Sequence, residues 1–187
     1  AGLKVYTTLD TKAQDQAEEL IQSSDALDSF PDNEQFQIGF TLLDTQTGAV
    51  KAIVGNRQSP DTAMSYNFAT DPNQPGSTIK PVLDYGPAIE NMQWSTYHQI
   101  EDEEYQYPDT DTDVRNYTRN YRGSVSMREA LTDSLNVPAV KTLEEVGLDN
   151  ARSFANGLGL GLEDLEHRVA ALVGAGDRDV AGLGVVR

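Results

Sequence analysis

The chain has 187 residues, enough for one domain with a sizeable core or for part of a larger one. It carries 14 basic and 30 acidic side chains, a net charge of −16, and such a surface repels phosphate backbones and disfavours nucleic-acid binding. There are no cysteines, which excludes disulfides, thiolate zinc sites and a cysteine nucleophile. The two histidines, His98 and His167, sit in no suggestive motif. No apolar run is long enough to cross a bilayer, and Ala1 to Lys4 lacks the charged-then-apolar layout of a signal peptide. Any export signal is therefore expected upstream.

Val5 to Thr8 alternates and is β-prone, which predicts a short strand. Asp10 or Thr11 then caps a polar helix running to about Ser23, with Ala13, Ala17, Leu20 and Ile21 on one face. A polar loop from Ser24 to Glu34 carries Pro31. Gln35 to Leu43 and Ala49 to Val54 are two β-rich runs joined by Asp44-Thr45-Gln46-Thr47-Gly48, a good antiparallel hairpin signal. Residues 55 to 76 form a long irregular stretch, and such connections are more often functional than idle.

Ser77 to about Met92 reads as a helix opened by Pro75-Gly76, with Pro81 tolerable so near its start. A loop region follows to about Gly123. Its segment Ile100 to Asp113 is dense in Asp and Glu but lacks the spacing of a calcium loop, so a solvated acidic loop is expected. Three short helices come next: Met127 to Leu135, Val137 to Val146 with Pro138 first, and one capped by Asp149 and ended by Gly157. The tail, rich in Gly, Ala, Val and Leu, matches no element.

Two short motifs carry chemistry. Ser77-Thr78-Ile79-Lys80 places a hydroxyl and an amine one helical turn apart. A serine is a poor nucleophile until a base takes its proton, and a desolvated lysine can be that base. A helix N-terminus at Ser77 also aims backbone N–H groups at developing negative charge. The second motif is Ser134-Leu135-Asn136. With 11 Ser, 5 Lys and 10 Asn in the chain, chance predicts ~0.3 of the first spacing and ~0.6 of the second. Ser65-Tyr66-Asn67 also fits the second. On spacing alone Ser77 serves as well as a helix cap, and Asn136 as a turn residue before Pro138.

The flanks decide. Gln74-Pro75-Gly76-Ser77-Thr78-Ile79-Lys80-Pro81 resembles the active-serine segment of high-molecular-mass penicillin-binding proteins. Gly2 to Asp10 resembles the lead-in to their transpeptidase domain in class A members, and Asp44 to Gly55 that family's first hairpin. Tyr66-Asn67-Phe68-Ala69 matches the stretch ahead of the serine. Arg128-Glu129-Ala130-Leu131 with Ser134 to Val140 matches the second motif and its flanks. Five matches occur in family order, covering residues 1–160, while 161–187 stay unassigned.

The resemblance implies an α+β fold, an antiparallel sheet packed with helices, and the chemistry of a peptidoglycan D,D-transpeptidase. Ser77 would attack the carbonyl of a D-alanyl-D-alanine stem peptide and hold the acyl group. Lys80 would be the base, Ser134 would relay a proton to the leaving amine, and Asn136 would hold Lys80 and the substrate amide. The Ser77 N–H would be one oxyanion donor, and β-lactam antibiotics would acylate the same serine. No metal or organic cofactor is needed. The setting would be the outer face of a bacterial cell membrane, with the anchor elsewhere. A D,D-carboxypeptidase, a β-lactamase-like enzyme, a non-turnover β-lactam sensor and an inactive fragment are the alternatives.

One family motif, Lys-Thr-Gly, does not occur; Lys141-Thr142-Leu143 lies in a predicted helix and does not replace it. Residues 1–187 are thus expected to be a partial transpeptidase domain whose remainder is a partner. With strands of its sheet absent, the isolated chain is expected to be unstable or to associate with a complementary fragment.

Overall fold

The computed structural model describes residues 2–22, 36–57, 66–71, 75–108 and 110–161. The chain divides into two compact units, Ala1–Pro72 and Asn73–Arg187. The Pro31 loop, most of the 55–76 connection, His167 and the tail beyond residue 161 lie outside the described residues.

In the first unit α1 (Thr11–Gln22) packs on a hairpin of β1 (Phe40–Leu43) and β2 (Val50–Val54). The expected cap is Asp10, whose Oδ1 accepts from the N–H groups of Lys12 (3.0 Å) and Ala13 (3.2 Å). Ala17 and Ile21, one turn apart, bury against Ala52 and Val54. The Gln14 side chain both donates to the Ile53 carbonyl and accepts from its N–H, each at 2.9 Å. An amide thus satisfies two peptide groups of β2 as a neighbouring strand would. In the connection, Asp44 Oδ1 accepts from Gln46 N, Thr47 N and Thr47 Oγ1, which folds the five residues.

Two strand expectations need correction. Val5 to Thr8 joins no ladder among the described residues; Val5 and Tyr6 are exposed, and contact with β2 is made by the Thr8 hydroxyl and the Asp10 N–H instead. Alternation marks a β-prone sequence, but only a paired backbone makes a strand. β1 also starts at Phe40 rather than Gln35. At Gly39 a Cβ would stand 2.5 Å from the Ala69 N, so the chain there is committed to a close backbone approach instead of a ladder.

The second unit holds the main core. A 3₁₀ turn (Gly76–Ile79) and a π turn (Pro81–Tyr85) lead into α2 (Gly86–Met92). β3 (Gln99–Asp102) pairs antiparallel with β6 (Gly123–Ser126), and β4 (Tyr105–Gln106) with β5 (Asp113–Val114). Then come α3 (Met127–Thr132), α4 (Asn136–Val146) and α5 (Leu148–Gly157). Leu83, Ala88, Val114, Val137, Val140 and Leu143 are buried at the centre. The architecture is α+β with small antiparallel sheets, as the resemblance implied.

Four details of the sequence reading change here. The region before Gly123 is not all loop: it contributes β3, β4 and β5. The acidic segment is only partly solvated, because Asp102 is fully buried and Lys141 Nζ reaches the Glu101 carbonyl and the Glu103 carboxylate. α4 begins at Asn136, placing Pro138 third, where its missing N–H is still one the helix cannot satisfy. Gly147, not Asp149, is the N-cap of α5; Asp149 lies in the first turn and faces Arg152.

The helix expected over 77–92 is an uninterrupted run of helical turns that changes pitch twice. Pro81 has no N–H to give the Ser77 carbonyl, so Lys80 N bonds Ser77 O and Gly86 N bonds Pro81 O across the wide turn. This packing needs Gly86: a Cβ there would meet Pro81 O at 2.6 Å and the Phe154 ring at 2.7 Å. Gly86→Ala is expected to destabilise the protein by about 1–3 kcal/mol, read by denaturant unfolding. An unchanged midpoint would show that the π turn and Phe154 give way freely.

Candidate active site

The site is built from two corners of the second unit. The first is the turn opened by Pro75 and by Gly76 at φ +53, where the Thr78 hydroxyl and N–H both bond the Pro75 carbonyl. It leaves Ser77 exposed and sends Ile79, Lys80, Leu83, Asp84 and Tyr85 inward. The second is the reversal between α3 and α4. Ser134 sits there at φ +54, and Leu135 N returns to Ala130 O at 2.8 Å. A left-handed serine costs about 1 kcal/mol or more and persists only where its surroundings hold it.

What holds it is Lys80. The Nζ, with no exposed surface on its residue, lies 2.8 Å from Ser134 O, 3.2 Å from Ser134 Oγ, 3.2 Å from Leu135 O and 2.7 Å from Asn136 Oδ1. All four partners are neutral oxygens. Burial therefore dominates and pulls the amine from its ordinary 10.5 down to about 8, with the Asp84 charge opposing. Asp84, four residues on, is also fully buried, and burial pushes its carboxyl well above the usual range against the attraction of Lys80. Neither Asp84 oxygen nor the Tyr85 hydroxyl has a hydrogen-bond partner among the described residues. Burial, then the charges of Asp84 and Asp102, raises the Tyr85 hydroxyl too.

Of the four expected site residues, Lys80, Ser134 and Asn136 meet directly. Ser77 stands exposed one turn ahead of Lys80, and its hydroxyl bonds nothing among the described residues. Asn136 is buried and triply anchored: Oδ1 accepts from Lys80, Nδ2 donates to Arg115 O at 2.7 Å, and its N–H donates to Asn116 Oδ1 at 2.8 Å. A buried amine of lowered pKa beside a strained serine, with an exposed serine one turn away, can accept and pass on protons at the surface of the molecule.

The other sequence candidates have plainer duties. Asn67 folds a local turn through the Ala69 N–H, and Ser65 lies outside the described residues. Lys141 and Thr142 are in α4, with the Thr142 hydroxyl on Pro138 O. His98 stacks on Trp94 at 3.5 Å between centroids. No group of three or more His, Cys, Asp or Glu is placed to hold a metal among the described residues. Sequence reading missed Asp84, Asp102 and Asn116. Asp84 had a signal, its four-residue spacing from Lys80; Asp102 and Asn116 had none, since their partners lie far along the chain.

The family model of the penicillin binding protein transpeptidase domain matches residues 38–172. Penicillin-binding protein 1A/1B of Bacillus subtilis is 52% identical over 162 residues, covering 86% of this chain and 17% of that protein. Penicillin-binding protein 1A of Streptococcus pneumoniae is 42% identical over 162 residues, covering 85% of this chain and 22% of its own length. The chain thus spans less than a quarter of either relative. Among solved structures, the penicillin-binding protein PonA1 of Mycobacterium tuberculosis superposes with a TM-score of 0.66 at 25% identity, over 85% of this chain and 39% of that one. A structure of PonA1 with penicillin V matches equally well and covers 40% of that chain. The chain belongs to the penicillin-binding protein transpeptidase domain family, on the side of its class A high-molecular-mass members.

Proposed function

We propose that this chain carries the nucleophile, base and proton relay of a peptidoglycan D,D-transpeptidase. One observation carries the reading: a lysine amine without exposed surface, 3.2 Å from the Ser134 hydroxyl and one turn after the exposed Ser77. Ser77 Oγ attacks the carbonyl of the penultimate D-alanine of a stem peptide and gives its proton to neutral Lys80. The Oγ–C bond forms, the C–N bond to the terminal D-alanine breaks, and the proton reaches the leaving amine through Ser134. An amine of a neighbouring stem peptide then takes the acyl group from Ser77, forming the cross-link.

Asn136 fits its role as a holder of Lys80. Nδ2 spends one hydrogen on Arg115 O, and its other hydrogen suits a substrate amide. In a β-lactam the broken C–N bond lies in a ring, so the leaving amine stays attached and the acyl-serine persists. The relative solved with penicillin V accords with this. Nucleophile, base and relay are all side chains, so the chemistry calls on no metal or organic cofactor. The substrate carboxylate needs a cation of the Lys-Thr-Gly kind, which is not in these 187 residues and falls to the remainder of the domain. The substrate sets the place of action, the outer face of the bacterial cell membrane. None of the described helices is long and apolar enough to cross a membrane.

Intact-mass analysis of the full-length protein after incubation with benzylpenicillin is expected to show one added penicillin, absent in Ser77→Ala. Well-folded protein that gains no mass would sink the reading. Lys80 is a base only when neutral, and the neutral fraction grows as pH rises through about 8. The acylation rate should therefore climb nearly tenfold per pH unit below about 8 and level off above it. A rate still climbing well beyond that point would mean an ordinary lysine. Ser134→Gly removes the hydroxyl while suiting φ +54. Acylation should fall about 100-fold or more with the melting temperature kept or raised; unaltered acylation kinetics would dismiss Ser134 as the relay.

A further inference from the structure

Asn136 is held to Lys80 from behind, by a pair of buried residues in the segment before α3. Asp102 ends β3 with no exposed surface, and Asn116 is 2% exposed in the irregular chain after β5. The Asn116 amide nitrogen donates to both Asp102 oxygens, at 2.8 and 3.0 Å, and lies 3.0 Å from Asn120 O. Asp102 Oδ2 also accepts from the Arg122 N–H at 3.0 Å. With its nitrogen so fixed, the Asn116 oxygen points the other way and accepts from Asn136 N at 2.8 Å and Val137 N at 3.4 Å.

Those two N–H groups open α4. The helix has no side-chain cap of its own: its N-cap is Leu135, which offers no acceptor beyond its backbone. Asn116 therefore acts as a capping residue from 20 positions upstream. Its neighbour Arg115 supplies the carbonyl that fixes the Asn136 amide nitrogen. Asn136 is left with one direction for its oxygen, the Lys80 amine at 2.7 Å.

We propose that Asn116, oriented by Asp102, is a positioning residue of the acylation site, capping α4 from outside the helix and setting Asn136 against Lys80. The inference rests on the transpeptidase reading given above. Its chemistry is directional: position 116 must offer an acceptor to α4 and donors to position 102 and to the Asn120 carbonyl. Asn116→Asp keeps the acceptor but sets a second carboxylate against buried Asp102. Adding Asp102→Asn to the same protein restores the 102–116 pairing with roles reversed, while the Asn120 carbonyl still lacks its donor. The amide then at position 102 would donate to the carboxylate at position 116, and its oxygen would still accept from Arg122 N.

The test is pre-steady-state acylation of the full-length protein by benzylpenicillin. It separates three quantities: the fraction acylated at the end point, the dissociation constant of the non-covalent complex, and the rate constant at saturation. Asn116→Ala and Asn116→Asp are expected to lower the rate constant about 10- to 100-fold, as a misplacement near 1 Å would. The dissociation constant should change little. The Asp102→Asn/Asn116→Asp double variant should recover part of the rate lost in Asn116→Asp, the Asn120 contact staying lost. Variants whose acylable fraction falls while the remaining protein reacts at the parental rate would reduce Asn116 to a stability role and overturn the inference. So would a double variant no faster than Asn116→Asp. Parental protein that is never acylated would remove the functional reading itself, and the inference with it.

Discussion

The second unit is organised around one awkward fact, an amine placed where water does not reach. Lys80 has no exposed surface, and an unsolvated ammonium is among the most costly groups to bury. No carboxylate comes within ion-pairing distance of it among the described residues; what surrounds Nζ is two backbone carbonyls, a hydroxyl and an amide oxygen. Three of those four oxygens come from residues 134 and 135 and the fourth from Asn136. The reversal between α3 and α4 is therefore the cradle of the lysine. Its left-handed Ser134 follows from the need to turn consecutive acceptors toward one point.

An arrangement so poor in compensating charge makes little sense as a device for stability. Asp84 adds to the anomaly: its carboxyl is as deeply buried as Lys80, one wide turn away, with both oxygens unpartnered among the described residues. The pair shifts in opposite directions, the amine toward neutrality at about 8 and the carboxyl toward protonation. Buried groups whose environments move them toward the pH at which they would trade protons cluster at sites of chemistry. The π turn belongs to the same picture. Pro81 interrupts the bonding and Gly86 closes the wide loop, so the segment that carries Lys80 and Asp84 is held in an uncommon pitch by its own sequence.

The acidic segment is instructive because composition misdescribes it. Glu101 to Glu104 looks like solvated charge, yet it contains the end of β3, the lysine-bound Glu103 and the buried Asp102 that orients Asn116. Asp102 is fully buried at no evident expense, because two residues donate three hydrogen bonds to its oxygens. One carboxylate in a run of acids is thus structural while its neighbours are surface, and only the partners distinguish them.

Local rules made much of this protein legible. Asp10 as a cap, the amphipathic face of α1, the Asp44–Gly48 connection and the three short helices all depend on residues within a few positions of one another. The Ser77–Lys80 spacing and the Ser134-Leu135-Asn136 triplet were legible for the same reason, and the resemblance of their flanks joined them into one expected site. The sequence alone could not say that β4 and β5 pair, or that Val5 to Thr8 does not. Nor could it show that Asn116 reaches 20 residues forward to cap α4. Those outcomes depend on which backbone groups compete for which partners across long stretches of chain, and no local propensity contains that competition. Sequence determined which residues could do the chemistry. Tertiary packing decided that Lys80 is dry, that Ser134 is strained toward it, and that Asn136 has only one way to point.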